Sequence, residues 1–558
     1  MLSSTTPQET VTTVTVQRHT PAVDVRHGQL QVGRDQSGTQ VRLPVAMHPR
    51  VVHVHPALTP LDARHRNFAD VASALDGAGI DYFAVRGCSD LMSVIGVSTS
   101  QRHRVMEVLR RLGTQQPGYV VSVLPAPPVL RTPLPASEPD TWRGVAASSV
   151  IRMIWYRTEP SQQLVYGPDY GCEIEFWEHD RNRNQMIAPR PNRMTPAVWA
   201  QGPTVYTDGG AFTRLAAPGQ DTRISVRTRP EFLGDTYEDI QFPIDVVYTW
   251  VDSSDPDWQR RRAEVTATPY HAEAANDARF MSRDELLYSL RSVHMFTPWV
   301  RNIFIVTDDQ VPVWLDTSRT DVRMVSHKEM FSDTGALPTF NSRAIESQLH
   351  HIDGLSEHFL YLNDDMFFAR PVTPNSFFTS AGMSKFFVSR NLIPPGDANV
   401  EVTPVQAGAM NNRSLLQRKF NRTITHTLQH APYAMQRSVM AEIEREFPEE
   451  YRATMMSQFR ELHTITVTSS LHHYYAYLTG RAVHGKVSYG YIRLDIPDLK
   501  RRLTRALARR DYDTLCLNDS SSTAKDLEQQ RSILTPFFES YFPVHSPHEA
   551  VEPNDATT

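Results

Sequence analysis

Three polar residues, Asn363, Asp364 and Asp365, interrupt an otherwise apolar stretch of this chain. The residues before them, Phe359–Leu362, are typical of a buried strand, and the residues after them are apolar again. In open α/β sheets, ligands bind beyond the carboxyl ends of the strands. Two adjacent carboxylates at such an end suit a hard divalent cation that also contacts phosphates. Taken alone, the pattern also fits an ordinary turn, because Asn and Asp commonly begin turns.

Two other predicted strands end in carboxylates as well. Pro243–Asp252 ends in Asp252, and Arg301–Thr307 is followed by Asp308 and Asp309. The intervening segments predict a helix, a short strand and a second helix, at Asp284–Phe296, Asp321–Val325 and Arg343–His351. This alternation predicts a largely parallel, nucleotide-binding α/β sheet with carboxylates gathered at one edge.

The chain has 558 residues, which is more than a single hydrophobic core usually supports. We predict a disordered or extended segment at 1–55, an accessory α/β domain of unknown role at 56–235, a catalytic domain at 240–550 and a tail at 551–558. Within the accessory domain, Glu173 and Glu175 alternate along a predicted strand. We interpret them as the solvated face of an edge strand, with a metal-binding pair as the alternative.

Composition narrows the class of protein. Hydrophobic residues make up 40% of the chain and charged residues 21%, as in ordinary globular proteins. The net charge of −5 argues against a dedicated nucleic-acid binder. Three widely spaced cysteines and the lack of a long apolar run predict a cytoplasmic protein without a transmembrane helix. Peripheral association with the inner face of the membrane stays open.

Four blocks of sequence, in this order, resemble the signature regions of the Stealth family. They are Ile244–Asp252 (IDVVYTWVD); Arg279–Asp309 with Leu337–Phe368; His430–Arg437 with Phe447–Tyr451; and Thr514–Asp519 with Phe537–Pro547. The resemblance implies a Rossmann-like, GT-A-like catalytic domain with helical additions that binds a nucleotide sugar. It also implies a sugar-1-phosphate transferase. Bacterial members act on capsular polysaccharides and exopolysaccharides, and the animal relative transfers GlcNAc-1-phosphate.

The implied reaction is attack by a glycan hydroxyl on the sugar-bearing phosphate of a nucleotide sugar, with release of a nucleoside monophosphate. For charge compensation we predict that Asp364 and Asp365 hold Mg²⁺, or Mn²⁺, with Asp252 as a third carboxylate or a donor-sugar contact. His430 matches a catalytic histidine of the third region and is the predicted base. A packing role, or a metal pair with His426 four residues earlier, are the alternatives for His430.

Further residues are assigned by the same resemblance. Arg460 matches a phosphate-contacting arginine, and its guanidinium fits a bidentate phosphate contact. Four others lie inside the matched blocks and are predicted to clamp the diphosphate or line the donor pocket: Arg279, Arg343, Asn341 and Glu346. The chain departs from the family pattern at Tyr433, where some relatives have a second histidine, and at Glu461–Thr468, which lacks the expected acidic pattern. Both departures bear on recognition of the acceptor.

Two other functions compete with this hypothesis. A conventional metal-dependent glycosyltransferase would use the same fold and donor but release a nucleoside diphosphate. A non-catalytic glycan-binding protein would not need both the Asp364–Asp365 pair and His430.

Overall fold

The computed structural model describes residues 33–35, 38–124, 132–219, 222, 224–265, 282–519 and 524–550. The N-terminal unit contains two sheets and three α-helices in that description. Its strands are β1 Gly33–Asp35, β2 Gly38–Val45, β3 His48–Val54, β4 Tyr82–Val85, β5 Ser93–Ser98, β6 Tyr119–Ser122, β7 Leu134–Pro135, β8 Val150–Ile154, β9 Tyr156–Thr158, β10 Val165–Tyr166, β11 Cys172–Asp180, β12 Gln185–Ile187, β13 Ala197–Trp199, β14 Val205–Asp208 and β15 Ser225–Thr228. Its helices are α1 Pro60–Gly77, α2 Arg102–Gln115 and α3 Pro139–Val145.

The larger sheet of this unit runs β14-β15-β4-β5-β11-β8-β6-β7, and the smaller one runs β1-β2-β3-β9-β10. Within the segment 1–55, predicted to be disordered or extended, residues 38–54 form the antiparallel pair β2–β3, and β3 pairs with β9. Val41 and Val52 are buried in this pair. Residues 1–32 and the tail 551–558 lie outside the described residues.

The reading of Glu173 and Glu175 as a solvated edge is wrong. Strand β11 lies between β5 and β8 inside the larger sheet, and both carboxylates are buried. Arg152 donates to Glu173 from Nη2 at 2.7 Å, and Arg190 donates to Glu175 from Nε at 2.7 Å. Because two arginines, from β8 and from the loop after β12, neutralise the carboxylates, the strand can occupy the interior.

The C-terminal unit follows. Its strands are β16 Ile244–Thr249, β17 Ile303–Thr307, β18 Val322–Ser326, β19 His358–Asn363, β20 Met366–Phe368, β21 Ser384–Phe386, β22 Val388–Leu392, β23 His426–Leu428, β24 Tyr433–Gln436, β25 Ala482–His484, β26 Tyr489–Arg493 and β27 Thr514–Asn518. Its helices are α4 Pro256–Val265, α5 Glu285–Phe296, α6 His327–Met330, α7 Ser342–Ser347, α8 Pro404–Phe420, α9 Arg437–Glu446, α10 Pro448–Met456, α11 His472–Leu478, α12 Leu499–Arg509 and α13 Ala524–Tyr541.

The central sheet of this unit has the order β18-β17-β16-β19-β24. The first four strands are parallel, and β24 is antiparallel to β19. Counted along the chain, the parallel strands run 3-2-1-4, which is the order of a Rossmann-type sheet. The predicted α/β class, with a Rossmann-like catalytic domain and helical additions, is confirmed. Strands β17 and β18 are added on one side of β16, and the chain then crosses to add β19 on the other side. The carboxyl ends of β16 and β19 therefore flank a topological switch point, where such sheets bind ligands.

A small three-stranded sheet, β20-β27-β26, stands beside the central one. Met366 pairs with Cys516 across β20 and β27, although about 150 residues separate them in the chain. The backbone N–H of Leu517 also donates to the carbonyl of Asp365 at 3.0 Å. Strand β27 is therefore fixed directly against the turn that carries Asp364 and Asp365.

Candidate active site

The Asp364–Asp365 turn lies between β19 and β20, at the carboxyl end of β19. Helix α5 supports it from one side, since Ser289 Oγ donates to the Met366 carbonyl at 2.6 Å and is 2.7 Å from the Tyr248 hydroxyl. Tyr248 is fully buried in β16 and belongs to the core. The turn is thus built on strands and a helix, which hold a site more rigidly than a free loop would.

Asp365 is held by residues from two other parts of the chain. His430 Nε2 lies 3.6 Å from Asp365 Oδ1, while the Cys516 thiol and the Asn518 amide donate to Oδ2 at 3.5 and 3.3 Å. Tyr491 in turn donates to Asn518 Oδ1 at 2.8 Å. Oδ1 is buried and accepts no hydrogen bond within the described part of the chain. An ionised oxygen in that position favours a cation as its partner.

Asp364 lies close to two further carboxylates, Glu285 and Asp365. The surrounding protein desolvates the Asp364 carboxyl group, and repulsion from Glu285 and Asp365 adds to this effect. Together they raise the pKa of Asp364 well above its usual range. Glu285, at the first turn of α5, also has a raised pKa because of burial, although Arg283 opposes the shift. A divalent cation would relieve the repulsion among these carboxylates.

His430 lies in the loop between β23 and β24, with its ring partly exposed. Its Nδ1 is 3.1 Å from the hydroxyl of Tyr433, the residue at which the chain departs from the family pattern. The structure brings His430 to Asp365 and Cys516, whose ligand atoms lie within 4.8 Å of one another. His426 is bonded through Nδ1 to Thr425 Oγ1 at 2.8 Å and belongs to no such group among the described residues. The alternative of a His426–His430 metal pair stays a prediction.

A chain of contacts connects His430 to Arg460. Tyr433 stacks on Tyr361 with ring centroids 6.3 Å apart, and Tyr361 interacts with the carboxyl group of Glu346. Glu346 is buried, which raises its pKa, and it accepts from Thr468 at 2.6 Å and interacts with Ser342. Ser342 Oγ accepts from Arg460 Nη2 at 2.5 Å. Thr249, at the end of β16, joins the same network through the Tyr361 hydroxyl at 2.9 Å.

Two other residues predicted to contact the donor form hydrogen bonds within the protein. Asn341 caps α7 and donates to the carbonyls of Ser457 and Phe459, each at 3.0 Å, so it holds the segment that precedes Arg460. The Arg343 guanidinium is buried and donates to Thr464 Oγ1 at 2.7 Å and to the Pro404 carbonyl. These contacts give both residues positioning roles. Arg279 lies outside the described residues.

Asp252 lies just beyond β16, at the same edge of the sheet. Its carboxylate accepts from the backbone N–H and hydroxyl of Ser254 at 2.8 and 2.6 Å. Gln310 bonds to both the N–H and the carbonyl of Asp252, and so ties the ends of β16 and β17 together. The three predicted carboxylate groups thus follow adjacent strands, but only the Asp364–Asp365 turn contacts His430 in the described part of the chain.

Sequence reasoning missed several residues of this site. Glu285, Cys516 and Asn518 lie inside the quoted blocks but were given no role. The acidic residue Glu285 at the start of a predicted helix could have been recognised from the sequence. Cys516 and Asn518 could not, because they reach Asp365 only through the pairing of β27 with β20 in the folded protein.

The strand order and the acidic turn define an α/β enzyme domain with a ligand site at its switch point. Models of the Stealth protein family match this chain in all four conserved regions: region 1 at 242–268, region 2 at 279–386, region 3 at 429–477 and region 4 at 505–557. The chain belongs to the Stealth family. Regions 1 to 4 supply, respectively, the end of β16, the acidic turn, His430 and the strand next to Asp365.

Relatives cover most of the chain. An exopolysaccharide phosphotransferase of Streptomyces coelicolor is 48% identical over 501 residues, which are 89% of this chain and 92% of the relative. The exopolysaccharide phosphotransferase CpsY of Mycobacterium tuberculosis is 34% identical over 543 residues, 95% of this chain and 96% of the relative. The galactosyltransferase LgtC, solved with donor and acceptor sugar analogues, is 11% identical, with a TM-score of 0.29 over 56% of this chain and 98% of that one.

Proposed function

We propose that this protein is an exopolysaccharide phosphotransferase that moves a hexose-1-phosphate from a nucleotide sugar to a glycan hydroxyl. The oxygen of the acceptor forms a bond to the sugar-bearing phosphorus, and the bond from that phosphorus to the nucleoside monophosphate breaks. The products are a phosphodiester and a nucleoside monophosphate. The observation that carries the proposal is the meeting of all four Stealth regions at one edge of the sheet, where His430 faces Asp365 at 3.6 Å.

The site suits a divalent cation. Asp365 Oδ1 is buried without a hydrogen-bond partner in the described structure, and Asp364 is crowded by Glu285 and Asp365. We assign Asp364 and Asp365 as the ligands of Mg²⁺, or Mn²⁺, because both ions prefer carboxylate oxygens. When bound, the ion would offset charge on the diphosphate and on the leaving phosphate. Cys516 fits a supporting role better, since burial and the nearby Asp365 raise the pKa of its thiol and disfavour a metal-binding thiolate.

His430 is our candidate for the general base. If Nδ1–H donates to the Tyr433 hydroxyl, Nε2 carries the lone pair that can accept a proton from the acceptor hydroxyl. The resulting imidazolium would face Asp365, whose negative charge stabilises it. The metal and the base would thus share one carboxylate, and the Tyr433 hydroxyl orients the imidazole ring.

Arg460 is our candidate for the phosphate contact. Its guanidinium is only partly buried and donates a hydrogen bond to a neutral hydroxyl, that of Ser342. A guanidinium has five N–H donors, so several stay available for phosphate oxygens. Glu346 and Asn341 hold Ser342 and the Arg460 segment in place, and Asp252 lies where the donor sugar or nucleotide would pass the end of β16.

We place this reaction on the cytoplasmic side, at or near the inner face of the membrane. The three cysteines are free, as expected in a reducing compartment. In the described part of the chain, no helix is both long and apolar enough to span a bilayer.

A donor screen tests the reaction. The protein is incubated with Mg²⁺ or Mn²⁺, a panel of nucleotide sugars and oligosaccharide acceptors, and the products are followed by phosphorus NMR. A nucleoside monophosphate together with a new phosphodiester signal supports the proposal. A nucleoside diphosphate without that signal would instead identify an ordinary glycosyltransferase. Binding of donor without turnover under every condition would favour a glycan-binding protein.

A further inference from the structure

A second group of metal-binding side chains lies away from the acidic turn. His350 and His351 belong to the short 3₁₀ turn after α7, and Glu444 projects from α9. One ligand atom from each of the three lies within 4.8 Å of the others. His350 is buried, whereas His351 and Glu444 are partly exposed. None of the three belongs to the network that links His430 to Arg460.

Hydrogen bonding fixes the proton on His351. Its Nδ1 is 3.2 Å from the backbone carbonyl of Met330, which can only accept, so Nδ1 carries a proton. In the neutral ring, Nε2 therefore has a lone pair, and it faces Glu444 Oε2 at 3.3 Å. Two acceptors at this separation repel each other unless a proton or a cation lies between them. This is the arrangement of a metal-ligating histidine whose other nitrogen is held by a carbonyl.

His350 points its Nε2 at the same oxygen, 2.8 Å away. Its Nδ1 has no partner within the described structure, so no contact there fixes its tautomer. Glu444 Oε2 is therefore a single carboxylate oxygen that both imidazoles face.

The distances match a small tetrahedral ion. With bonds of about 2.0–2.1 Å to nitrogen and oxygen, neighbouring ligand atoms around Zn²⁺ are about 3.4 Å apart. The His351–Glu444 distance of 3.3 Å already agrees, and the His350–Glu444 distance of 2.8 Å needs to widen by about half an ångström. Two imidazoles and one carboxylate leave a fourth position open, and all three side chains line a surface groove of about 590 Å³.

From this geometry we propose that His350, His351 and Glu444 form a binding site for Zn²⁺ or a similar borderline divalent cation. The ion would join the turn after α7 to α9. Two arginines, Arg437 and Arg445, also line the groove, and their charge favours an anion or hydroxide as the fourth ligand.

The site is separate from the proposed catalytic centre. Glu357, which precedes β19, accepts from the backbone N–H of Ser438 at the start of α9, so the cluster lies near the amino end of β19. Strand β19 has six residues and spans about 20 Å before it reaches Asp364. The proposal therefore stands or falls independently of the transferase reaction.

Equilibrium dialysis of the metal-stripped full-length protein against Zn²⁺, with bound metal measured by atomic emission, tests the site. We expect His351→Gln and Glu444→Gln each to bind one equivalent less than the wild type, or to bind it at least about 10-fold more weakly. Asp365→Asn controls for the acidic turn. His545→Gln is the matched control, because His545 also faces a carboxylate at 3.1 Å, that of Glu549, but Arg291 already neutralises that group.

Both control variants, Asp365→Asn and His545→Gln, should retain the equivalent of Zn²⁺ bound at the proposed site. Zn²⁺ should also raise the Tm of the wild type and of His545→Gln but not that of His351→Gln. Equal binding by all variants, or loss of the equivalent only in Asp365→Asn, overturns the proposal. If the two site variants do not fold, Co²⁺ absorption of Asp365→Asn, which lacks the proposed ligand at the acidic turn, decides: intense tetrahedral bands support the site, and weak octahedral bands contradict it.

Discussion

Two acidic pairs in this protein look alike in sequence and differ in what surrounds them. Glu173 and Glu175 on β11 are buried, and Arg152 and Arg190 bond to them directly. Asp364 and Asp365 contact a thiol, an amide, a histidine and another carboxylate, and no arginine bonds to them in the described structure. Arginines of the protein itself neutralise the first pair. The charge of the second pair is left for a bound cation, as expected of a site for a metal ion and a diphosphate.

The largest effect is expected on kcat, from substitution of Asp365 in the second pair. Asp365→Asn should lower kcat by about 10²–10³-fold or more, because it removes a metal ligand and the partner of the His430 imidazolium. Asp309→Asn is the matched control. Asp309 lies just beyond β17, which β16 separates from β19 in the sheet, and it is already bonded to Lys328 at 2.6 Å. Steady-state rates of phosphodiester formation would measure both variants, and equal losses would show that the acidic turn has no special part in turnover.

The first pair should matter for stability and not for chemistry. Glu173→Gln leaves the buried Arg152 without its ionic partner, which typically costs about 3–5 kcal/mol. Glu178→Gln, at the exposed end of the same strand, should change the free energy of unfolding by less than about 0.5 kcal/mol.

Denaturant unfolding of both variants gives these values, and kcat of the folded fraction should stay at the wild-type level. A drop in kcat for Glu173→Gln with unchanged stability would mean that β11 contributes to the reaction after all.

Part of this contrast could be predicted from the sequence. The apolar runs before Asp252, Asp308 and Asp364 determine strand type and length locally, and parallel strands place their ends together. The role of Glu173 could not be predicted in the same way, since a Glu-x-Glu alternation is identical for a solvated face and for an arginine-neutralised one. The deciding residues, Arg152 and Arg190, come from β8 and from the loop after β12.

The site at the carboxyl edge of the central sheet could likewise be predicted only in part from the sequence. Asp364, Asp365 and His430 were predicted, and the structure brings them together, whereas Cys516 and Asn518 reach Asp365 through pairing of β20 with β27. Arg343 lay in a matched block, but its charge is used inside the fold to bond Thr464 and Pro404. A motif identifies a residue type at a position, and only packing decides whether its polar atoms point to a ligand or to the protein.

A smaller effect is expected at Tyr433. Tyr433→Phe removes the hydroxyl that orients His430 and should lower kcat by about 10-fold, as for other residues that orient a catalytic group. A purely structural role would leave the pH profile of kcat unchanged, whereas loss of the hydrogen bond to a catalytic imidazole should shift its acidic limb. Tyr475→Phe is the control, because that hydroxyl bonds to Glu442 on α9 at 2.7 Å. Identical pH profiles for wild type and Tyr433→Phe would remove Tyr433 from the mechanism.

The smallest effect tests the charge argument itself, in metal-free protein. The raised pKa of Asp364 means that the folded state holds this proton more tightly than the unfolded state, so ionisation destabilises the fold as pH rises. Asp364→Asn removes the penalty. Its free energy of unfolding should equal that of the wild type below the ordinary Asp pKa of about 3.9 and exceed it increasingly as the pH rises above that value. Added Mg²⁺ should stabilise the wild type and close this gap. If the difference in free energy of unfolding between Asp364→Asn and the wild type does not grow with pH, repulsion at Asp364 is not the reason that the site would bind a cation.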